Sequence, residues 1–460
     1  MPSTPASASS SALSSKLSPQ DVRGMLALLM SIALATLDTA IANTALPAIA
    51  ADLNASPAAS VWIINAYQLA AVATILPFAA LGSILGQRKV YLAGLVLFIV
   101  ASLMCTFAWS LPTLTAARVL QGLGASAIMS VNAGLIGSIF PRERLGRGLG
   151  LNALVVGTSF AAGPTIASLI LSVANWPWLF AINVPIGLFA LGFAWNALPA
   201  SQPRPQKFDY VTASLNVIAF GALIFALGQA AQMGSRLSVL SAFAAFLLAG
   251  AAMIYRERGH PTPMFPLDLL RRPMFALSTL TAFCSFATQG LAFVSLPFFF
   301  ETTLGRNPVE TGFLMTPWSV VVALFAPIAG RLSDRYPPGL LGGIGLAVLS
   351  AGMVSLALLP AEPSAGDIVA RMIICGIGFG FFQAPNQKAL MTSAPRERAS
   401  GASGTVATAR LIGQATGAAL VALSFGIAGS SGPMLALSIG AVFAAVGAVS
   451  SGLRLVTSAD

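Results

Sequence analysis

The stretch "ALATLDTAIANTALPAIA", residues 33–50, reads as an apolar helix carrying one carboxylate, Asp38, near its middle. The apolar run around it extends from about Met25 to Ala51, enough to cross a bilayer, so Asp38 would sit near half depth. A carboxylate there costs roughly 2.5–3.5 kcal/mol on insertion scales, so an intramembrane acid is read as functional by default. The alternative is an acid paired permanently to a cation for helix packing.

The whole chain has the same character. Of its 460 residues 56% are hydrophobic and only 8% charged, with mean hydropathy +0.84. A soluble domain is usually about one quarter charged, and no soluble core of this size could bury so much apolar surface. The class is therefore a polytopic membrane protein. The net charge of +10 fits basic cytoplasmic loops, and no nucleic-acid partner is expected. Cys105, Cys284 and Cys375 lie inside apolar runs and read as unpaired packing residues. The single histidine, His260, lies in a loop, and neither metal nor cofactor is expected. No nucleophile–base pair appears, which argues against an enzyme. Residues 1–20, rich in Ser, Ala and Pro, read as a disordered cytoplasmic tail with no signal-peptide pattern.

Apolar runs of crossing length fall near 24–50, 60–83, 89–109, 112–139, 147–174 and 177–198, then 210–231 and 237–255. Six more follow near 274–300, 309–330, 339–360, 366–390, 401–427 and 433–453, which makes fourteen spans. With the amino terminus inside, nineteen of the 24 basic residues fall on the cytoplasmic side, among them Arg88, Lys89, Arg142, Arg144, Arg147, Lys207, Arg271, Arg272, Arg396 and Arg398. Both termini are then cytoplasmic.

The chain also repeats itself. "PRERLGRGLGLNAL" begins at Pro141 and "PRERASGASGTVAT" at Pro395; Arg118 opens "RVLQGLG" and Arg371 opens "RMIICGIGFG". "LGSILGQRK" after the second span matches "AGRLSDRYP" after the tenth, and Leu46–Pro47 matches Leu296–Pro297. Two six-helix bundles follow, at 21–200 and 274–455, with two inserted helices at 201–258 and a cytoplasmic loop at 259–273. Parallel six-span repeats point to a transporter with its site between the halves.

At this point the sequence resembles the major facilitator superfamily, and within it the fourteen-span drug:proton antiporters of the EmrB/QacA type. "LDTAIANTALP" (37–47) is similar to that group's first-span signature and "LTAARVLQGLGAS" (114–126) to its fourth-span motif. "GLNALVVGTSFAAGPTIAS" (150–168) is similar to its fifth-span antiporter motif and "WPWLFAINVPIG" (176–187) to the start of span six. The resemblance implies an all-α major facilitator fold and proton-driven export of small lipophilic compounds across the cytoplasmic (inner) membrane by alternating access. It also implies lipid and protons as partners, a monomer, and an Arg118 that lines the cavity and tunes the proton site. Some positions depart from the pattern. Ser83 and Ile84 stand where the loop motif has Asp and Arg, and Ser159, Ala167 and Ser168 stand for glycines in span five.

The residues themselves suggest three groups. Asp38 and Arg118 form the candidate proton-coupling pair, since burial disfavours a carboxylate's charge and a cation restores it. Asn43, Gln68, Gln121, Asn132, Gln289, Gln383, Asn386, Arg410 and Gln414 are candidate substrate-cavity residues, with Gln121 at i+3 from Arg118 and Gln414 at i+4 from Arg410. Gly86, Arg88, Lys89, Gly157, Gly163, Pro164, Gly330, Asp334 and Arg335 are candidate gating residues, with weight on the intact second-half copy. "LPFFFE" (296–301) reads as an outer-interface anchor, the alternative being that it reaches the cavity. With Arg118, Arg371 and Arg410 set against one aspartate, neutral, zwitterionic or anionic lipophiles compete with hydrophobic cations as substrates. The other functions open to such a chain are proton-coupled uptake of a metabolite and a non-transporting sensor or scaffold. The second would need a sizeable soluble domain, which the short loops do not provide.

Overall fold

The computed structural model of the protein describes residues 18–140, 145–199, 208–231, 235–257, 267–360, 362–394 and 399–457. Most of the expected tail, both PRER loops with Arg142, Arg144, Arg396 and Arg398, the segment with Lys207, and most of the 259–273 loop lie outside the described residues.

The chain is helical because a backbone in lipid must satisfy its own hydrogen bonds. The long helices are α1 (Pro19–Asp52), α2 (Trp62–Leu85), α3 (Gln87–Thr106), α4 (Leu111–Ile139), α5 (Leu145–Leu171), α6 (Asn183–Ala197), α7 (Tyr210–Ala231) and α8 (Arg236–Glu257). They continue with α9 (Pro273–Phe298), α10 (Pro308–Leu332), α11 (Pro338–Ala357), α12 (Ala365–Ser393), α13 (Ala399–Ala428) and α14 (Gly432–Thr457). Their starts carry side-chain caps: Ser18 on α1, Ser110 on α4, Asn307 on α10 and Ser364 on α12. Gly86, with φ 99°, separates α2 from α3 in a conformation that side chains disfavour.

Thirteen helical stretches among the described residues are long and apolar enough to cross a membrane. The last of these, Gly404–Val456, is 53 residues long, about 80 Å at the α-helical rise and too long for one crossing. It runs through α13 and α14, which the tight turn Gly429–Ser431 separates.

The internal repeat is visible in the packing. In the first half α1 packs on α5 and α6, α2 on α4, and α3 on α4 and α6. In the second half α9 packs on α13 and α14, α10 on α12, and α11 on α12 and α14, the same wiring eight helices later. The halves meet along two seams, α5 against α10 and α2 against α13, with α1 facing α9 between them.

The inserted pair is lopsided. α7 packs on both α2 and α13, with Asn216 Nδ2 donating to Ala73 O at 2.7 Å, so it covers one seam only. α8 packs on α7, and Arg256 of α8 grips Asp209 ahead of α7 through two 3.1 Å bonds.

At the end of the molecule away from the amino terminus, the halves close over one apolar cluster. It joins Ile41, Leu46 and Ile49 of α1 to Leu291, Val294 and Phe298 of α9 and Val421 of α13. The expectation that "LPFFFE" anchors at the interface is overturned here. Phe298, Phe299 and Phe300 are at most 1% exposed, and Phe298 meets Phe425 edge-on at 5.1 Å. The physical reason is the end of α9, where Pro297 precedes a π-helical turn at Phe299–Thr303 in a span almost wholly enclosed by neighbours. Toward the amino-terminal end a cleft lined by residues of both halves separates them.

The close approach of α5 to α1 gives a test. A Cβ on Gly163 would lie 2.3 Å from Ala40 Cβ, whereas one on Gly157, two turns earlier, meets nothing within 4 Å. Gly163→Ala should lower the melting temperature, overpacking costing about 1–3 kcal/mol. Gly157→Ala should leave it unchanged or raise it, since Ala is favoured by about 0.5–1 kcal/mol within a helix. Thermal unfolding of the two variants in one detergent checks both.

Candidate functional site

Asp38 lies on the face of α1 turned into the first bundle, where side chains from α3, α4 and α6 surround it. Arg118 Nη1 donates to Asp38 Oδ2 at 2.5 Å. The other carboxylate oxygen, Oδ1, accepts from Gln121 Nε2 at 2.8 Å and from Asn183 Nδ2 at 2.7 Å. Gln121 Oε1 accepts in turn from Arg118 Nη1 at 2.6 Å, and Gln121 Nε2 also donates to Ser102 Oγ at 2.9 Å. Arg118 Nε donates to Ile63 O at 3.2 Å, while its guanidinium lies over the Tyr67 ring at 4.3 Å and near Phe180 at 5.6 Å. The carboxylate thus meets one cation and two amide donors, all at most 1% exposed. Charged hydrogen bonds of this kind are roughly twice as strong as neutral ones, and they compensate the burial of two charges.

The cleft between the halves has two contiguous lobes, a narrow inner one of about 60 Å³ and a wider one of about 440 Å³ toward the amino-terminal end. Met129, Val156, Phe286, Gln383 and Arg410 line both. Thr39, Tyr67, Phe160, Phe293, Trp318 and Phe379 are among the walls of the inner lobe.

Sequence-derived candidates divide sharply against this geometry. Gln289, Gln383, Arg410 and Gln414 line the inner lobe, and Gln414 Nε2 donates to Gln289 Oε1 at 2.9 Å. Asn132 and Asn386 line the outer lobe, with Asn132 Nδ2 bonded to Asn152 Oδ1 at 2.7 Å. Asp38, Arg118 and Gln121 do not line the cleft. They sit behind Tyr67, whose ring faces the cleft and also underlies Arg118. The implied cavity-lining role of Arg118 is corrected accordingly: its guanidinium is held inward by Asp38 and Ile63 O. Asn43 and Gln68 also fall outside the cleft, buried in the closed end, where Asn43 Oδ1 and Gln68 Oε1 have no hydrogen-bond partner.

Among the gating candidates, Asp334 pairs with Lys388 of α12 at 2.6 Å, and Lys388 also donates to Ser333 O at 2.8 Å. Gly330 is half-buried, and Arg335 and Lys89 are exposed. Arg88 Nη2 donates to Trp195 O at 2.6 Å. Gly157 lines the inner lobe. The carbonyl of Pro164 takes the Ser168 hydroxyl at 2.9 Å beside the outer α5–α10 seam, where Thr165 and Thr316 hydroxyls meet at 2.7 Å.

Two residues escaped sequence reasoning. Asn183 lay inside the quoted "WPWLFAINVPIG", and its signal was an amide within an apolar span. Arg454, read only as a cytoplasmic charge, is 1% exposed and clamps α14 to its neighbours through Asn386 Oδ1 at 2.8 Å and Ser278 Oγ at 3.0 Å. Arg371, the repeat counterpart of Arg118, pairs instead with Asp367 on its own helix at 3.0 Å and with Ser355 O.

The profile of the Major Facilitator Superfamily matches residues 28–418 of the chain. The chain is 49% identical over 439 residues to the uncharacterized transporter YebQ of Escherichia coli K12, covering 95% of this chain and 96% of that one. It is 29% identical over 398 residues to the riboflavin transporter RibZ of Clostridioides difficile, 86% of each chain. It is 30% identical over 396 residues to the methylenomycin A resistance protein of Streptomyces coelicolor, covering 85% of this chain and 83% of that one.

The sealed pair predicts an unusual stability order. Arg118→Met should cost about 3–5 kcal/mol, because it leaves the Asp38 charge buried without its cation. Adding Asp38→Leu should recover most of that loss, since an apolar pair of similar volume is often neutral or better. Thermal unfolding of the single and double variants checks it; a double variant no more stable than Arg118→Met would contradict the coupling.

Proposed function

From the premise that this chain belongs to the Major Facilitator Superfamily and is a multi-pass transporter, we propose that it exports small lipophilic compounds in exchange for protons by alternating access. The observation that carries the reading is Asp38: an acid sealed with Arg118 inside the first bundle, one aromatic ring away from a cleft open at a single end. The relative named for methylenomycin A resistance supports export.

In this reading the bundles are residues 21–200 and 274–455, α7 and α8 are an insertion within 201–258, and 259–273 is a cytoplasmic loop. The chain makes fourteen crossings with both termini cytoplasmic, resides in the inner membrane as a monomer, and is seen with its cleft open to the cytoplasm. Asp38 is the proton site and Arg118 its counter-cation. When Asp38 takes a proton its charge disappears, Arg118 loses its strongest partner, and the hold of α1 on α4 and α6 relaxes. When the proton leaves, Arg118 recaptures the carboxylate. Tyr67, touching both cleft and guanidinium, passes the change between the two sites. One inward-moving charge is worth about 2.3 kcal/mol per 100 mV of membrane potential, enough to sustain a roughly fiftyfold gradient of a neutral substrate.

The closed end supports alternation. Asn43 Oδ1, both amide atoms of Asn65, Gln68 Oε1 and Ser295 Oγ are buried there without hydrogen-bond partners. A buried unsatisfied polar group costs about 1–3 kcal/mol, so this end is a gate that gains by opening to water. Gating on the cytoplasmic face leans on Asp334 and Lys388, the first-half copy having Ser83 and Ile84 in place of the charged pair. The relative named as a riboflavin transporter favours a second reading, proton-coupled movement of a metabolite.

Reconstitution into vesicles with an imposed pH gradient and a panel of dyes, antibiotics and vitamins tests the proposal. Substrate should move against the proton flux, and Asp38→Asn should abolish gradient-driven transport while the protein remains folded and membrane-inserted. Co-directional movement with protons would establish the second reading, and wild-type coupling in Asp38→Asn would sink the assigned proton site.

A further inference from the structure

Among the described residues that line the cleft there is no carboxylate. Its charged walls among the described residues are Lys388 and Arg410. Lys388 is already neutralised by Asp334 at 2.6 Å. Arg410 is not: half-buried on α13 and lining both lobes, it has neither an ion pair nor a hydrogen-bond acceptor among the described residues. The Asp38 carboxylate cannot serve it, since both oxygens are engaged by Arg118, Gln121 and Asn183 within the first bundle.

An unpaired guanidinium in a largely apolar cavity is expensive to keep there and is stabilised by any anion that reaches it. Around it the cleft is aromatic, with the Phe160 and Phe293 rings tilted at 54° and 5.1 Å apart and Phe293 and Trp318 edge-on at 5.4 Å. Trp318 Nε1 is a buried donor without a partner, and so is the Ser319 hydroxyl beside it on the same wall. A flat apolar body fits such walls, while free donors and a bare guanidinium ask for acceptor oxygens. A lipophilic cation would find a like charge and no counter-ion.

We propose that the substrate is an amphipathic organic anion, an aromatic carboxylate or sulfonate, whose acidic group is anchored by Arg410 and whose ring system lies among Phe160, Phe293 and Trp318. This rests on the export reading and deepens it. An anion leaving a cell with a negative interior moves down the electrical gradient, so export through this cleft adds to the charge moved by the proton.

Matched probes test the assignment on the full chain in nanodiscs of neutral lipid: anilinonaphthalenesulfonate, the uncharged phenylnaphthylamine with the same ring system, and cationic ethidium. The sulfonate should bind at least about tenfold more tightly than the neutral probe, and ethidium most weakly. Arg410→Gln should erase the preference while keeping the affinity for phenylnaphthylamine, which doubles as the check on folding, and Arg410→Lys should retain part of it. Equal binding of sulfonate and neutral probe by the wild type, a preference for ethidium, or an unchanged preference in Arg410→Gln would each overturn the proposal. The comparison is separate from the export reading. Gradient-driven movement of the neutral probe without anion preference removes only this inference, and anion preference without proton coupling removes only the other.

Discussion

The buried ion pair between Asp38 and Arg118 is the constraint on which the first bundle is arranged. Two opposite charges at full burial are tolerable only when the carboxylate is met by donors, and the network that does so joins four helices: Asp38 on α1, Ser102 on α3, Arg118 and Gln121 on α4, and Asn183 on α6. The same hydrogen bonds that make the burial bearable fix the spacing of those helices. A change of charge at one atom therefore reaches four elements together. Among the described residues the second bundle has no such centre: Gln289, within a residue of the position matching Asp38, bonds to Gln414 in the cleft, while Arg371 pairs locally with Asp367. Two halves with the same wiring thus hold different chemistry at these places, an acid with its cation in the first and a pair of amides in the second.

On the proposed reading, that division separates the proton from the substrate in space. The acid lies behind Tyr67, and the cleft on the other side of that ring presents aromatic faces, amides and one bare guanidinium. Coupling between them needs a mechanical link, and two reach both sites: the Tyr67 ring under Arg118, and α1 itself, whose Thr39 next to Asp38 lines the inner lobe. The seams add a second asymmetry. α7 covers the joint between α2 and α13, and among the described helices none covers the joint between α5 and α10 in the same way, so the two joints have different neighbours.

The legibility of these features varied with the kind of signal. Asp38 stood out because a lone acid in an apolar run has no bland reason to be there, and Arg118 with Gln121 followed from helical spacing on one element. Asn183 did not, because an amide is unremarkable in a span until its partner, 145 residues away in sequence, is known. Asn43 and Gln68 were polar for another reason than lining the cleft: they lie under the closed end. Phe298 to Phe300 looked like an interfacial belt, yet a proline and a π-helical turn bury them, Phe298 in the cluster at the closed end and Phe299 and Phe300 in the core of the second bundle. Arg454, near a chain end, passed for a topology charge although it clamps α14 to α12 and α9.

By itself the sequence determined that the chain lives in lipid, that it is built of long helices in two related halves, and which acid is out of place. Each follows from composition, run length and repeat, quantities that need no knowledge of neighbours. Only the tertiary structure decided which face of each helix looks at lipid, at protein or at the cleft, and hence that Arg118 is sealed away while Arg410 is left open. The reason is that lipid tails and a protein interior are equally apolar surroundings. Hydropathy cannot tell one from the other, and the choice between them is made by packing alone.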